Sequence, residues 1–236
     1  MTVSGTIAFS MTVVQIVTQA RALIGVQASE EPLQAHELEQ GITSLNMMLR
    51  AWQADGIQTW TLTEGSFALT QSDYDYVFGA GGAFTTVPFE ITDARITRNS
   101  RDLPMVRMSR EDYYALPKKD TEGYPTQFYY DRQRESGTFY VWPAPDSGTG
   151  TIKFTYRRYI MDAGDGTNTL DFPPEWLEAV TSNLAVRLVA HYPAVPQQSL
   201  ATATALAASS YAILKGFDTG EGRGSLSILP DFGGWR

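Results

Sequence analysis

Two pairs of carboxylates lie close enough in the sequence to work as an acid and a base: Glu111 with Asp112, and Asp162 with Asp165. Glycoside cleavage needs two such groups, one to protonate the leaving oxygen and one to attack or to activate water. The same aspartates have simpler uses, because a short carboxylate caps helices and turns by accepting backbone N–H groups. Spacing alone leaves a peptidoglycan-cleaving enzyme as an alternative, and the chain is expected not to be an enzyme. There is no cysteine, which removes thiolate nucleophiles, disulfides and cysteine-based zinc sites together. No serine sits in a G-x-S-x-G elbow. With His36 and His191 as the only histidines, a histidine metal site is not expected, and His191, next to Tyr192 near a helix end, suits the helix terminus. The stretch "GAGGAF" from Gly79 lacks the spacing and the lysine of a phosphate-binding loop and reads as a turn or mobile loop. "DAGDGTNTLD", from Asp162, gathers oxygen ligands but lacks the closing glutamate of a calcium loop, and reads as a polar turn. No catalytic residue, cofactor or metal is assigned.

The composition is that of a folded protein. A hydrophobic share of 43% with 19% charged residues is ordinary for a globular chain, and 236 residues suffice for one large body or two small domains. The net charge of −8 argues against tight wrapping of nucleic acid, which needs a basic surface, yet it suits a surface that DNA slides past. No apolar run reaches membrane-span length, and "MTVSGTIAFSMTVVQIV" lacks the basic opening of a signal peptide. Folding in a reducing cytoplasm, with no membrane partner, is the expectation.

Helical periodicity opens and closes the chain. In "TVVQIVTQARALIG", Val13, Ile16, Val17, Ala20, Leu23 and Ile24 share a face, Thr12 and Gln15 form a capping box, and Gly25 is the stop. Leu38, Ile42, Leu45, Leu49 and Trp52 define a second helix that ends at Gly56. After "LDFPPEW", with Asp171 as the expected cap, Trp176, Val180, Leu184 and Leu188 form a third stripe. A fourth, alanine-rich helix runs from Gln197 to Leu214. Between them the pattern changes to short, β-rich segments: Ser66–Leu69, Tyr74–Phe78, Phe89–Thr97, an aromatic hairpin and Thr151–Tyr159, with a capped helical turn in "SREDYYALP". The expected fold is α+β, a four-helix bundle formed by the N- and C-terminal helices with an inserted antiparallel β domain and an extended C-terminal tail. Its divisions are 1–61 and 168–216 for the bundle, 62–167 for the β domain and 217–236 for the tail.

The hairpin is "GYPTQFYYDRQRESGTFYVWPAPD", Gly123 to Asp146, where Phe128 and Tyr130 point to one side while Tyr129 and Asp131 point to the other. Aromatic residues on both faces require that both be covered, either inside the fold or by a partner. A carbohydrate-binding module, stacking sugars on these rings, is a second alternative.

Four stretches together, "LNMMLRAWQADGIQTW", "GYPTQFYYDRQ", "FYVWPAPD" and "LDFPPEWLEAVTSNLAVRLVAHY", resemble one family in order and separation. It is the head-to-tail adaptor (connector) proteins of short-tailed bacteriophages, also called tail accessory or packaged-DNA stabilisation factors. The resemblance implies a structural virion protein at the portal vertex, assembled in the host cytoplasm as a ring, dodecameric in the family, beneath the portal. Such a ring extends the DNA channel, helps retain packaged DNA and offers a platform to the tail tube or nozzle protein, while double-stranded DNA passes without specific binding. By position, the tail residues Leu226, Ile228, Leu229, Phe232 and Trp235 would bind the portal. Tyr129, Tyr140 and Trp142 would serve a subunit or tail interface.

Overall fold

The computed structural model describes residues 9–27, 32–56, 59–148 and 150–221. In chain order these form α1 (Val13–Leu23), α2 (Ala35–Ala54), β1 (Leu62–Ala68), β2 (Asp75–Phe78), β3 (Glu90–Arg98), β4 (Arg101–Arg107) and α3 (Arg110–Ala115). They continue with β5 (Glu122–Gly123), β6 (Gln127–Arg132), β7 (Gly137–Trp142), β8 (Ala144–Pro145), β9 (Thr151–Arg157), α4 (Leu177–Leu188) and α5 (Gln197–Glu221). The chain divides into two compact units, one made of Met1–Trp60 with Ile160–Arg236 and the other of Thr61–Tyr159.

In the β unit seven strands form one sheet in the order β1-β9-β3-β4-β6-β7-β2. The expected antiparallel domain inserted in a four-helix bundle is not what forms. The sheet is mixed, because β4 and β6 run parallel, and it is curled into a half-barrel. Laid flat, the outermost strands of seven would stand ~29 Å apart, yet Phe67 of β1 meets Tyr76 and Phe78 of β2 at 4.7 and 5.4 Å between ring centroids. Five α-helices are present among the described residues, and α3 belongs to the β unit. The β3–β4 turn places Asn99 and Ser100 both at positive φ, 51° and 59°, the type I′ form that matches strand twist. β4 itself was not expected: it contains Pro104, and most of its residues are exposed. The proline is tolerated because β4 pairs with β6 only beyond it, at Val106 and Arg107.

The helical unit is organised around α4, which packs against α1, α2 and α5. Thr12 caps α1 and Gln15 completes the box. Val180, Leu184 and Leu188 are buried as their spacing requires, together with Val13, Ile16, Val17, Leu45 and Leu49. Asp171 does not cap α4. A 3-10 turn, Pro174–Trp176, leads into that helix, while Asp171 Oδ2 accepts from Met161 N at 3.4 Å. α5 runs past the expected Leu214 to Glu221. Arg21, 4% exposed, reaches Glu37 through two bonds of 2.5 and 2.6 Å and lies over the Tyr192 ring.

Two predictions follow from this unit. Where α1 and α2 approach, a Cβ on Gly41 would stand 2.6 and 2.8 Å from the two methyls of Val17. Gly41→Ala is expected to cost about 1–3 kcal/mol despite its better helix propensity, and Val17→Ala in the same chain should recover part of the lost Tm. The Arg21 guanidinium holds the Glu37 carboxyl at about 2, against 4.5 for the free group. A depressed carboxylate stabilises above its unfolded pKa and loses that contribution as pH falls toward its folded one. Glu37→Gln should therefore lower Tm near neutral pH, where it removes the carboxylate that faces Arg21, and the gap to wild type should close between pH 4.5 and about 2.

Candidate functional site

The aromatic hairpin pairs β6 with β7 in the register Phe128↔Val141, Tyr129↔Tyr140 and Tyr130↔Phe139. On its inner face Phe128 stacks on Phe139 at 5.2 Å, and Phe139 continues to Phe78, Phe67 and Phe154 in the half-barrel core. Tyr130 joins this face with its ring against Phe78, and its Oη donates to Pro88 O at 3.1 Å. Burial holds the Tyr130 phenol far above its ordinary pKa.

The outer face is covered by α3. A parallel β–β connection needs a crossover of a dozen or more residues, and the chain from Met108 to Thr126, between β4 and β6, supplies it. Ser109 caps the helix by accepting from Asp112 N at 3.0 Å, which sets its start. Tyr113 then lies on the sheet, 4.7 Å from Tyr140 and stacked at 5.5 Å on Tyr129, while Tyr129 and Tyr140 stack on each other at 5.8 Å. Tyr113 is 2% exposed and Tyr129 8%. Tyr114, 51% exposed, carries the surface outward between Arg110 and Lys119, whose cationic ends lie 5.4 and 5.7 Å from its ring centre. Trp142 Nε1 donates to Lys118 O at 3.3 Å. A cleft of about 390 Å³ opens beside the hairpin, lined by Arg107, Ser109, Arg110, Tyr129 and Tyr130.

The structure thus brings Tyr129 and Tyr140 together under Tyr113 and places Trp142 at the end of the same strand. Sequence reasoning missed Tyr113 and Tyr114; the signal was the capped "SREDYY", where two tyrosines follow a helix start beside an aromatic hairpin. The portal-binding candidates Leu226, Ile228, Leu229, Phe232 and Trp235 lie outside the described residues.

The acid–base candidates have other work. Asp112 completes the α3 capping box, Asp162 accepts from Arg50 at 2.5 Å, and Asp165 accepts from the Thr167 hydroxyl and amide in a turn. Glu111 is exposed on α3. Both histidines line one cleft of about 330 Å³ with Glu39 and Met47, and Ser44 Oγ stands 3.4 Å from His191 Nε2. Among the described residues no group of three histidine, aspartate or glutamate side chains is placed to hold a metal ion. No helix among them is long and apolar enough to cross a membrane. The arrangement offers stacking and cationic contact to another surface.

The Tyr113 hydroxyl is buried with no hydrogen-bond partner among the described residues, and burial drives its pKa far upward. A buried polar atom left unpaired costs about 1–3 kcal/mol. Tyr113→Phe, which keeps the stacked ring, is expected to leave Tm unchanged or raise it, while Tyr113→Ala should lose about 3–5 kcal/mol. Thermal unfolding of the two variants checks this, and a marked loss in the phenylalanine variant would reveal a partner for the hydroxyl.

No curated protein matches the chain. The family model described as SU10 adaptor protein matches residues 11–226, a span that takes in both units and every helix and strand from α1 to α5. The chain belongs to the SU10 adaptor protein family.

Proposed function

We propose that this chain is a head-to-tail adaptor that assembles as a ring, dodecameric by the family resemblance, beneath the portal of a short-tailed phage. The ring extends the DNA channel, helps retain packaged DNA and presents the platform to which the tail tube or nozzle attaches. As a member of the SU10 adaptor family the protein is a phage adaptor-type structural component of the virion. The observation that carries it is the family match over residues 11–226, which covers the helical and the β unit alike. The residues Leu226, Ile228, Leu229, Phe232 and Trp235 dock on the portal, spaced apolar anchors in a glycine-rich segment.

The outer face of the hairpin supplies a subunit or tail contact. Tyr114 is its exposed ring, Tyr140 and Trp142 form the half-buried shoulder, and Tyr129 supports them from beneath. Tyrosine, tryptophan and arginine are the residue types enriched at protein–protein contacts. A carbohydrate platform is less well served, because the faces of Tyr129 and Tyr140 are already stacked within the chain. No catalytic role is assigned.

The test is native mass of the full chain mixed with the portal ring encoded in the same genome, beside a version ending at Glu221, where α5 ends. The full chain should add in one fixed, ring-sized multiple and the truncated chain should fail. Failure of both chains to add would overturn the adaptor ring, and equal addition by both would remove the docking role of the tail.

A further inference from the structure

Like charges face each other across this sheet at two places: Arg95 of β3 opposite Lys153 of β9, where Asp102 reaches both cations, and the end of the β3–β4 hairpin. Its type I′ turn is closed by Arg98 directly opposite Arg101. Like charges facing each other across a ladder destabilise it, and this chain holds 26 acidic residues against 18 basic ones, so an acidic partner was not scarce. Other guanidinium groups of the β unit have partners: Arg95 has Glu64 and Asp102, Arg107 has Glu90, Arg110 of α3 has Asp131, and Arg132 donates to Phe89 O.

Both arginines line one cleft of about 570 Å³, together with Asn99, Leu103 and Tyr124. Arg98 is fixed there, its Nη1 donating to Asp146 Oδ1 at 3.0 Å and its guanidinium 5.7 Å from the Tyr124 ring centre. Arg101 is exposed and takes no ion pair or hydrogen bond among the described residues. The cleft therefore offers one anchored cation, one free cation, a side-chain amide and a flat apolar wall.

We propose that Arg98 and Arg101 clamp a backbone phosphate of a nucleic-acid duplex. With Asp146 already on Arg98, the single charge of one phosphodiester balances Arg101, and its two free oxygens accept from both guanidinium groups, turning their repulsion into a shared contact. Asn99 at the turn adds a donor, and the adjoining sugar rests against Leu103 and Tyr124. The end of a two-stranded hairpin is narrow enough to reach the backbone without entering a groove, so the contact reads no sequence. The distribution of charge agrees with a polyanion on this unit. Thr61–Tyr159 has 13 acidic and 12 basic residues, close to neutral, while the remainder has 13 acidic and 6 basic and repels it. The choice of a duplex as the polyanion rests on the channel reading above.

The test is fluorescence anisotropy of a short labelled DNA duplex with the full-length protein, titrated over a range of salt. Variants are Arg101→Glu and, as a control, Arg134→Glu in the exposed β6–β7 turn. Wild type should bind at low salt, Arg101→Glu should weaken binding about tenfold or more and reduce the salt slope by about 0.9, and Arg134→Glu should change little. Absence of binding by wild type, or equal loss in both variants, overturns the clamp. So does displacement by millimolar inorganic phosphate at constant ionic strength, which would mark a small-anion site. A wild-type chain that joins the portal ring but ignores the duplex sinks the clamp and leaves the adaptor intact. One that binds the duplex through Arg101 but never joins the ring supports the clamp and sinks the ring.

Discussion

Everything in the β unit depends on how a seven-stranded sheet disposes of its aromatic face. Phe67, Phe78, Phe128, Phe139 and Phe154 belong to five different strands, and together they form more apolar surface than a flat sheet can hide without a second layer. The sheet supplies its own second layer by curling until β1 and β2 share ring contacts. The cluster then packs at centroid distances of 5.2 to 6.0 Å, within the range where tilted and offset rings attract. Curling in turn presents the opposite face convex and open, and α3 covers that face where the hairpin is most aromatic.

That cover is a consequence of strand direction. Because β6 runs parallel to β4, the chain cannot turn back through a tight loop and must cross a face of the sheet. The crossing segment carries Tyr113 and Tyr114, so one topological choice both seals Tyr129 and Tyr140 and exposes a new aromatic group between two cations. The question raised by aromatic residues on both hairpin faces is answered largely inside the chain, with Tyr114 left as the part that faces outward.

What the sequence made legible is what is local. The Thr12–Gln15 and Ser109–Asp112 caps involve residues three apart, and the Val180, Leu184, Leu188 stripe repeats within one helix, so each could be read from a short window. The β6–β7 pairing was visible because its two strands are neighbours in sequence. The parallel joint was not, since side-chain alternation records which face is buried and says nothing of strand direction. β4 escaped notice because Pro104 and its exposed neighbours look like a loop, and Asp171 was misassigned because the turn at Pro174 displaces the helix start beyond its reach. The facing arginines stood in plain sight as "RNSR", but their opposition exists only once the two-residue turn fixes the register. A phage adaptor-type protein was recognisable because the four matching stretches run through both units, as the SU10 adaptor match does.

The parallel joint has one more consequence. Only Val106 and Arg107 of β4 pair with β6, so the sheet consists of two antiparallel halves, β1-β9-β3-β4 and β6-β7-β2, sewn by a short backbone seam. What spans the two halves more broadly is ring contact, Phe78 on Phe154 and Phe139 on Phe67. In mechanical terms the half-barrel is two stiff plates held by a filling of rings, with Tyr130 on Pro88 O and Arg132 on Phe89 O as cross-ties. Hydrogen bonds at such a seam fail over a fraction of an ångström, whereas stacked rings slide and keep their contact. Shear along the strands is therefore opposed least at the seam, where two residue pairs of β4 and β6 are in register.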